Sequence, residues 1–417
     1  MSENILFISE SSEEAASGSQ LTLGLDDLIL TKGMATSAGS KMLAGFKSLF
    51  DARVYERLHE AGCAVAGKVN IGEFGIDLLG ETSHFGPVLT AEGQLTTAAS
   101  QLLANGSVDA VVGLDVNGAQ ARAAALAGQV YLKPTYGCVS RFGTVAVACS
   151  GETVDVSACS TEVVQQVLDT LAGHDDADGT SLPESECARL KSANSEAAPI
   201  TQVKVARGLL ATADEATQQL IEAAIATLEA EGIAVSDTAP ETDKLLSVAN
   251  LAWNILMCAE LCNNVNRFEG MKYGYHAEKC QSIDELYTKS RTEAFGSLLK
   301  TAILYGSEVL ATNNYDRCYD KALRIRRLVL EALTEECAGG TALLLPACAK
   351  RAYSLAEVEA NPNLAFEENR FTAPAAITGL PALVAGGVQL LGNAFSETAL
   401  LRLGAVLSSA NLAGKEA

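Results

Sequence analysis

Positive charge is scarce in this sequence. Lys and Arg number 30 against 51 Asp and Glu in 417 residues, a formal net charge of −21. Such a surface repels phosphate backbones, so direct binding of nucleic acid by this chain alone is not expected; only a basic partner subunit would carry it. Histidine is scarcer still, with His59, His84, His174 and His276 as the whole set. The 11 cysteines contain no Cys-x-x-Cys pair, so a zinc site has no ligand pattern to rest on. An odd, scattered set of thiols fits a reducing compartment, and a cytoplasmic location is expected. The closest cysteines, Cys258 and Cys262, share one helix face and read as core. The first twenty residues lack the basic start and apolar run of a secretory signal and read as a flexible acidic leader. No uninterrupted apolar run is long enough to cross a bilayer, so no membrane partner is expected. No cofactor is expected either.

What is present is core-forming material. Hydrophobic residues make up 48%, with 35 glycines and only 5% aromatics, which points to tight turns and Ala/Val/Leu packing. Asp51 is placed to cap a helix through DARVYERLHEAG, followed by an apolar strand from Cys63 to Val69. The alternation recurs: Thr212 and Glu215 form a candidate capping box, a long amphipathic helix ends at Gly232, and Ile233–Val235 begins the next strand. Helix followed by strand, repeated, predicts an α/β fold with a sheet between layers of helices. From about 239 to 340 the strand signal disappears, which predicts a helical insertion within one domain spanning 21–417. The strand TALLLP, the run GLPALVAGGVQLLG and a last helix from Ser396 follow.

Eight segments, among them LTKGMATSAGSKML, FDARVYERLHEAGCAVAGKVNIGEFG, YLKPTYGCVSRFG, NRFEGMKYGY and FTAPAAITGLPAL, run in one order from Leu23 to Leu407. Together they resemble the amidase signature family, most closely the A subunits of glutamyl-tRNA(Gln) and aspartyl-tRNA(Asn) amidotransferases. The resemblance implies a mixed sheet sandwiched by helices. It also implies a Ser-cisSer-Lys triad, in which a neutral lysine takes a proton through the middle serine from the attacking one.

The triad positions differ here. Asp26, in LGLDDL, stands where the resemblance places the lysine. Ala119, in GLDVNGAQARAA, stands at the nucleophile, and Leu95 or Thr96, in QLTTAASQ, at the middle serine. Loss of the serine nucleophile alone costs about a million-fold in kcat in the serine protease subtilisin. The expectation is therefore a non-catalytic, scaffolding chain that binds an amidotransferase B-subunit-like protein. The alternative is an amidase or glutamine-dependent tRNA amidotransferase subunit with relocated catalytic residues. Arg326 and Tyr273 match positions that hold a substrate carboxylate in the family, so a small carboxylate ligand is expected there. Lys68 and Lys133 match structural lysines, and Thr97 and Ser100 read as helix-capping residues.

Overall fold

The computed structural model describes residues 4–11, 21–187, 198–410 and 412. Its strands are β1 (Phe7–Glu10), β2 (Thr22–Asp26), β3 (Ala64–Val69), β4 (Val88–Leu89), β5 (Leu95–Thr96), β6 (Ala110–Asp115) and β7 (Val130–Lys133). They continue as β8 (Thr153–Ala158), β9 (Gln202–Val205), β10 (Ala234–Asp237), β11 (Thr341–Leu345), β12 (Ala382–Ala385) and β13 (Val388–Leu391). Eleven of them form one mixed sheet in the order β1-β3-β2-β6-β8-β7-β12-β13-β11-β9-β10, while β4 and β5 pair separately. Strands β6, β8, β11, β12 and β13 are buried at every residue, as strands covered on both faces are.

The period-2 alternation of side chains makes the two faces of the sheet chemically different. Along β8, Val154, Val156 and Ala158 join the main core, packed under the helix Thr161–Leu171. Thr153, Asp155 and Ser157 alternate with them and so turn to the opposite face. In β2, Leu23 and Leu25 join the core while Gly24 and Asp26 alternate outward from it. The helix Ala119–Ala127 covers that second face through Ala121, Ala124 and Ala125, which pack on Tyr131 and Val384. It starts at Gly118, where φ is +80° and a Cβ would lie 2.6 Å from the Thr372 side chain, so only glycine serves.

Between β10 and β11 there is no strand. The long helix Pro240–Val265 packs against Ser297–Leu310 and Lys321–Glu336. Gly306 permits the first crossing, because a Cβ there would lie 2.0 Å from the carbonyl oxygen of Cys258. Residues 266–282 are irregular rather than helical, contrary to an all-helical insertion. Gly270 and Gly274, at φ of +79° and +82°, break the helical path and turn NRFEGMKYGY into a loop.

Other expectations also need correcting. Within the anticipated flexible leader, Phe7–Glu10 forms β1 and pairs antiparallel with β3; residues 1–3 and 12–20 lie outside the described residues. The helix Arg53–Glu60 starts after Ala52, and Asp51 accepts the Lys32 N–H instead of capping it. The helix Glu215–Ala230 is capped by Asp214, while Thr212 donates to Leu209 O; the aspartate one residue from the helix start outcompetes the threonine. One helix, Pro240–Val265, is long and apolar enough to cross a membrane. Its Leu246, Ala249, Trp253, Leu256, Leu261 and Val265 are instead buried in the core.

Candidate functional site

Asp26 closes β2, and Asp115 closes the adjacent parallel β6. Antiparallel β8 sets Asp155 opposite Gly113 and Thr153 opposite Asp115. A chamber of about 60 Å³ lies at these strand ends, walled by Asp26, Asp115, Asp155, Thr97, Ala119 and Gln120. That is room for a few water-sized groups. Gly113 forms its floor: a Cβ there would lie 2.9 Å from an Asp155 oxygen and 3.2 Å from Asp26 Oδ2. Helices begin on two sides, with Thr97 capping Ala98–Ala104 and Gly118 leading into Ala119–Ala127.

Charge is held here under burial. Asp26 accepts N–H groups of Leu28 at 2.9 Å and Leu114 at 3.2 Å, yet burial pushes its carboxyl up from 3.8 to about 6. Asp155 lies well above the usual carboxylate range, raised by burial and then by Asp115 and Asp26 beside it. Asp115 accepts Gly118 N–H at 2.7 Å. Lys68, on β3 beside β2, donates to Ile29 O; burial lowers its pKa from 10.5 to about 8 against the pull of Asp27 and Asp26. Lys133 donates to Thr153 Oγ1 at 3.0 Å and is likewise lowered to about 8 by burial, with Asp115 and Asp155 acting the other way. Both lysines are fully buried parts of the sheet.

The structure brings two of the three triad positions together. Asp26 and Ala119 wall the chamber. Leu95 does not: it is buried in the core, its N–H donating to Tyr353 O. Thr97, two residues on, faces the chamber and donates to Gln120 Oε1 at 2.7 Å. The Gln120 Nε2 donor has no hydrogen-bond partner. Asp115, Asp155 and Gln120 were missed from sequence. The signal for Asp155 was there: a carboxylate alternating with valines in TVDVSA is anomalous for a fully buried strand. No group of three His, Cys, Asp or Glu among the described residues forms a metal site.

Arg326 and Tyr273 are not brought into one pocket. Arg326 donates to Ser150 O at 2.7 Å, and Tyr273, 59% exposed, lines a second, larger cavity of about 1310 Å³ that Arg326 does not line. A sequence match fixes their helix and loop but not the relative path of residues 266–282.

The fold, a mixed sheet covered by helices, is that of the amidase-signature proteins. Residues 21–401 match the Amidase family, and the chain belongs to it. The A subunit of glutamyl-tRNA(Gln) amidotransferase from Coxiella burnetii is 34% identical over 410 residues, covering 94% of this chain and 83% of the relative. The protein of the same name from Natronomonas pharaonis is 31% identical, covering 98% of this chain and 100% of the relative. Among solved structures, the A subunit of glutamyl-tRNA(Gln) amidotransferase from Thermotoga maritima aligns with a TM-score of 0.76 at 24% identity, covering 95% of this chain and 85% of that one. A 6-aminohexanoate cyclic dimer hydrolase aligns at 0.79 and 20%, covering 97% and 89%.

These findings overturn the expectation of a non-catalytic scaffold. The chain matches the amidase family over most of its length, and relatives above 30% identity carry the name of an amidotransferase subunit. The three altered positions bear on which groups perform the chemistry. They were too narrow a basis for assigning the chain to non-enzymes, because a buried polar chamber persists around two of them, Asp26 and Ala119.

Proposed function

We propose that the chain is an amidase-type enzyme, the A subunit of a glutamine-dependent tRNA amidotransferase, with its catalytic groups relocated within the chamber. The observation that carries the reading is the 34% identity to the A subunit of a glutamyl-tRNA(Gln) amidotransferase across 94% of the chain. Residues 21–417 act as one domain in a reducing, cytoplasmic setting, and a B-subunit-like partner consumes the ammonia released.

In this reading Asp26 is the general base. With a pKa of about 6 it is ionised at neutral pH yet basic enough to share a proton in flight. It takes a proton from water, whose oxygen attacks the glutamine carboxamide carbon. The C–N bond breaks, and the proton passes to the departing nitrogen, leaving glutamate and ammonia. The unpartnered Gln120 Nε2 and the first turn of Ala119–Ala127 stabilise the charge that develops on the carbonyl oxygen. Thr97 holds Gln120 in place through its hydroxyl.

The test is ammonia release from glutamine by the full chain, alone and with an amidotransferase B-subunit partner. Turnover that rises with pH through about 6 and falls by about 10²–10⁴-fold in Asp26→Asn is the expected result. No turnover under either condition, or a fully active Asp26→Asn, overturns the reading.

A further inference from the structure

We propose that the large cavity between residues 41–46 and the 267–275 loop binds a mononucleotide, taken as a phosphate-bearing ligand with a planar ring. This goes beyond amide chemistry and does not depend on it.

Lys41, Arg267, Lys272 and His84 all line this cavity, and no Asp or Glu does. In a chain with 51 acidic and 30 basic residues, that is an inverted local charge. Among the described residues, none of the three cations forms an ion pair with a carboxylate. Lys41 lies 4.2 Å above the Tyr275 ring. Arg267 donates to Asn264 O at 2.9 Å and to its amide oxygen at 3.4 Å. Glu269 meets Lys272 only at the backbone, accepting its N–H at 3.1 Å. Like charges gathered in a hollow repel each other, and a bound anion relieves that repulsion.

The rings supply the rest. Phe46 is 41% exposed and Tyr273 59% exposed, both on the cavity wall, with Phe268 and Tyr275 half-buried beside them. Exposed flat rings next to cations are how proteins hold a base and its phosphate together. About 1310 Å³ is far more than a bare phosphate or an amino acid fills. The net charge of −21 argues against a long polyanion, which would extend across repelling surface. A single nucleotide, free or at the end of an RNA strand, fits both constraints.

The experiment is calorimetric titration of the full chain with AMP, with inorganic phosphate and L-glutamate as controls, and with a single-stranded RNA trinucleotide. Binding needs no turnover, so it succeeds or fails independently of the amidotransferase reading. Saturable AMP binding, tighter than phosphate by about tenfold or more, is expected. Arg267→Glu and Lys272→Glu, both exposed positions that leave the core intact, should each weaken it about tenfold or more. Tyr273→Ala should weaken AMP about fivefold or more without changing phosphate. A trinucleotide that binds more tightly than AMP identifies an RNA end as the source, and equal affinities identify the free nucleotide. Absence of saturable AMP binding at millimolar concentration overturns the proposal, as does binding that both charge reversals leave unchanged.

Discussion

Two hollows of this protein, the strand-end chamber and the large loop-walled cavity, are opposites. The chamber at the ends of β2 and β6 is small and walled by aspartates. The cavity beneath the 267–275 loop is some twenty times larger and walled by cations and rings. One belongs to the sheet, where strand alternation and backbone hydrogen bonds fix each side chain. The other belongs to loops that glycines bend. Overall composition describes neither: an acidic chain gathers aspartates at a small enclosed chamber and lines an open cavity with cations and no carboxylate. What a chain's net charge excludes on its surface as a whole, a local site can still admit.

Targeted substitutions probe this contrast. The largest effect is expected from Asp26→Asn, which should lower glutamine hydrolysis by about 10²–10⁴-fold while leaving AMP affinity unchanged in titration. A loss of both would mean the hollows are coupled.

Next is Arg122→Ala. Its buried guanidinium donates to Leu78 O, Asn117 O and Asp77 O, tying the loop before β4 to the helix at the chamber wall. Truncation leaves those carbonyls unsatisfied and should cost about 3 kcal/mol or more in urea unfolding.

A smaller and opposite effect concerns pH. The folded-state pKa of Asp26 is raised to about 6, so the stability linked to its proton is fully present below 3.8 and is lost as pH rises through 6. Asp26→Asn should therefore be more stable than wild type at pH 7 by up to about 3 kcal/mol, with no advantage at pH 3.5. Urea midpoints at the two values check this; an Asn variant less stable at pH 7 would show that the two backbone N–H contacts outweigh the burial cost.

The smallest effect is expected from Thr97→Ala, about 1 kcal/mol from a lost helix cap. It should also slow hydrolysis modestly by freeing Gln120, without altering AMP affinity.

Much of the sheet could be read in advance because burial and strand periodicity are local signals. The strands β3 and β11 fell within a residue or two of their expected positions, and the run GLPALVAGGVQLLG became the antiparallel pair β12 and β13. Caps were read less well, since Asp51 and Thr212 are plausible caps by type and only the chain path shows that neither bonds the first helical turn. The chamber was half visible. Asp26 and Ala119 came from motif positions, whereas Asp155 joins them only through the antiparallel register of β8 with β6, which no linear spacing encodes. Arg326 and Tyr273 do not line the large cavity together, because the path of Tyr273 depends on a glycine-bent loop. The conclusion drawn from the altered triad failed differently: it read the loss of three named groups as the loss of reactivity.

The short strand β1 has a practical consequence. It contributes only four residues, but it covers the outer side of β3 through three paired positions, the first set apart by a bulge. Without it β3 would be a sheet margin with a row of unsatisfied amides and carbonyls, the kind of border along which chains zip together. Shortening the chain to begin at residue 21 is thus expected to leave catalysis chemically possible but to yield a chain that self-associates, seen as sedimentation more dependent on concentration than that of the chain with β1 in place.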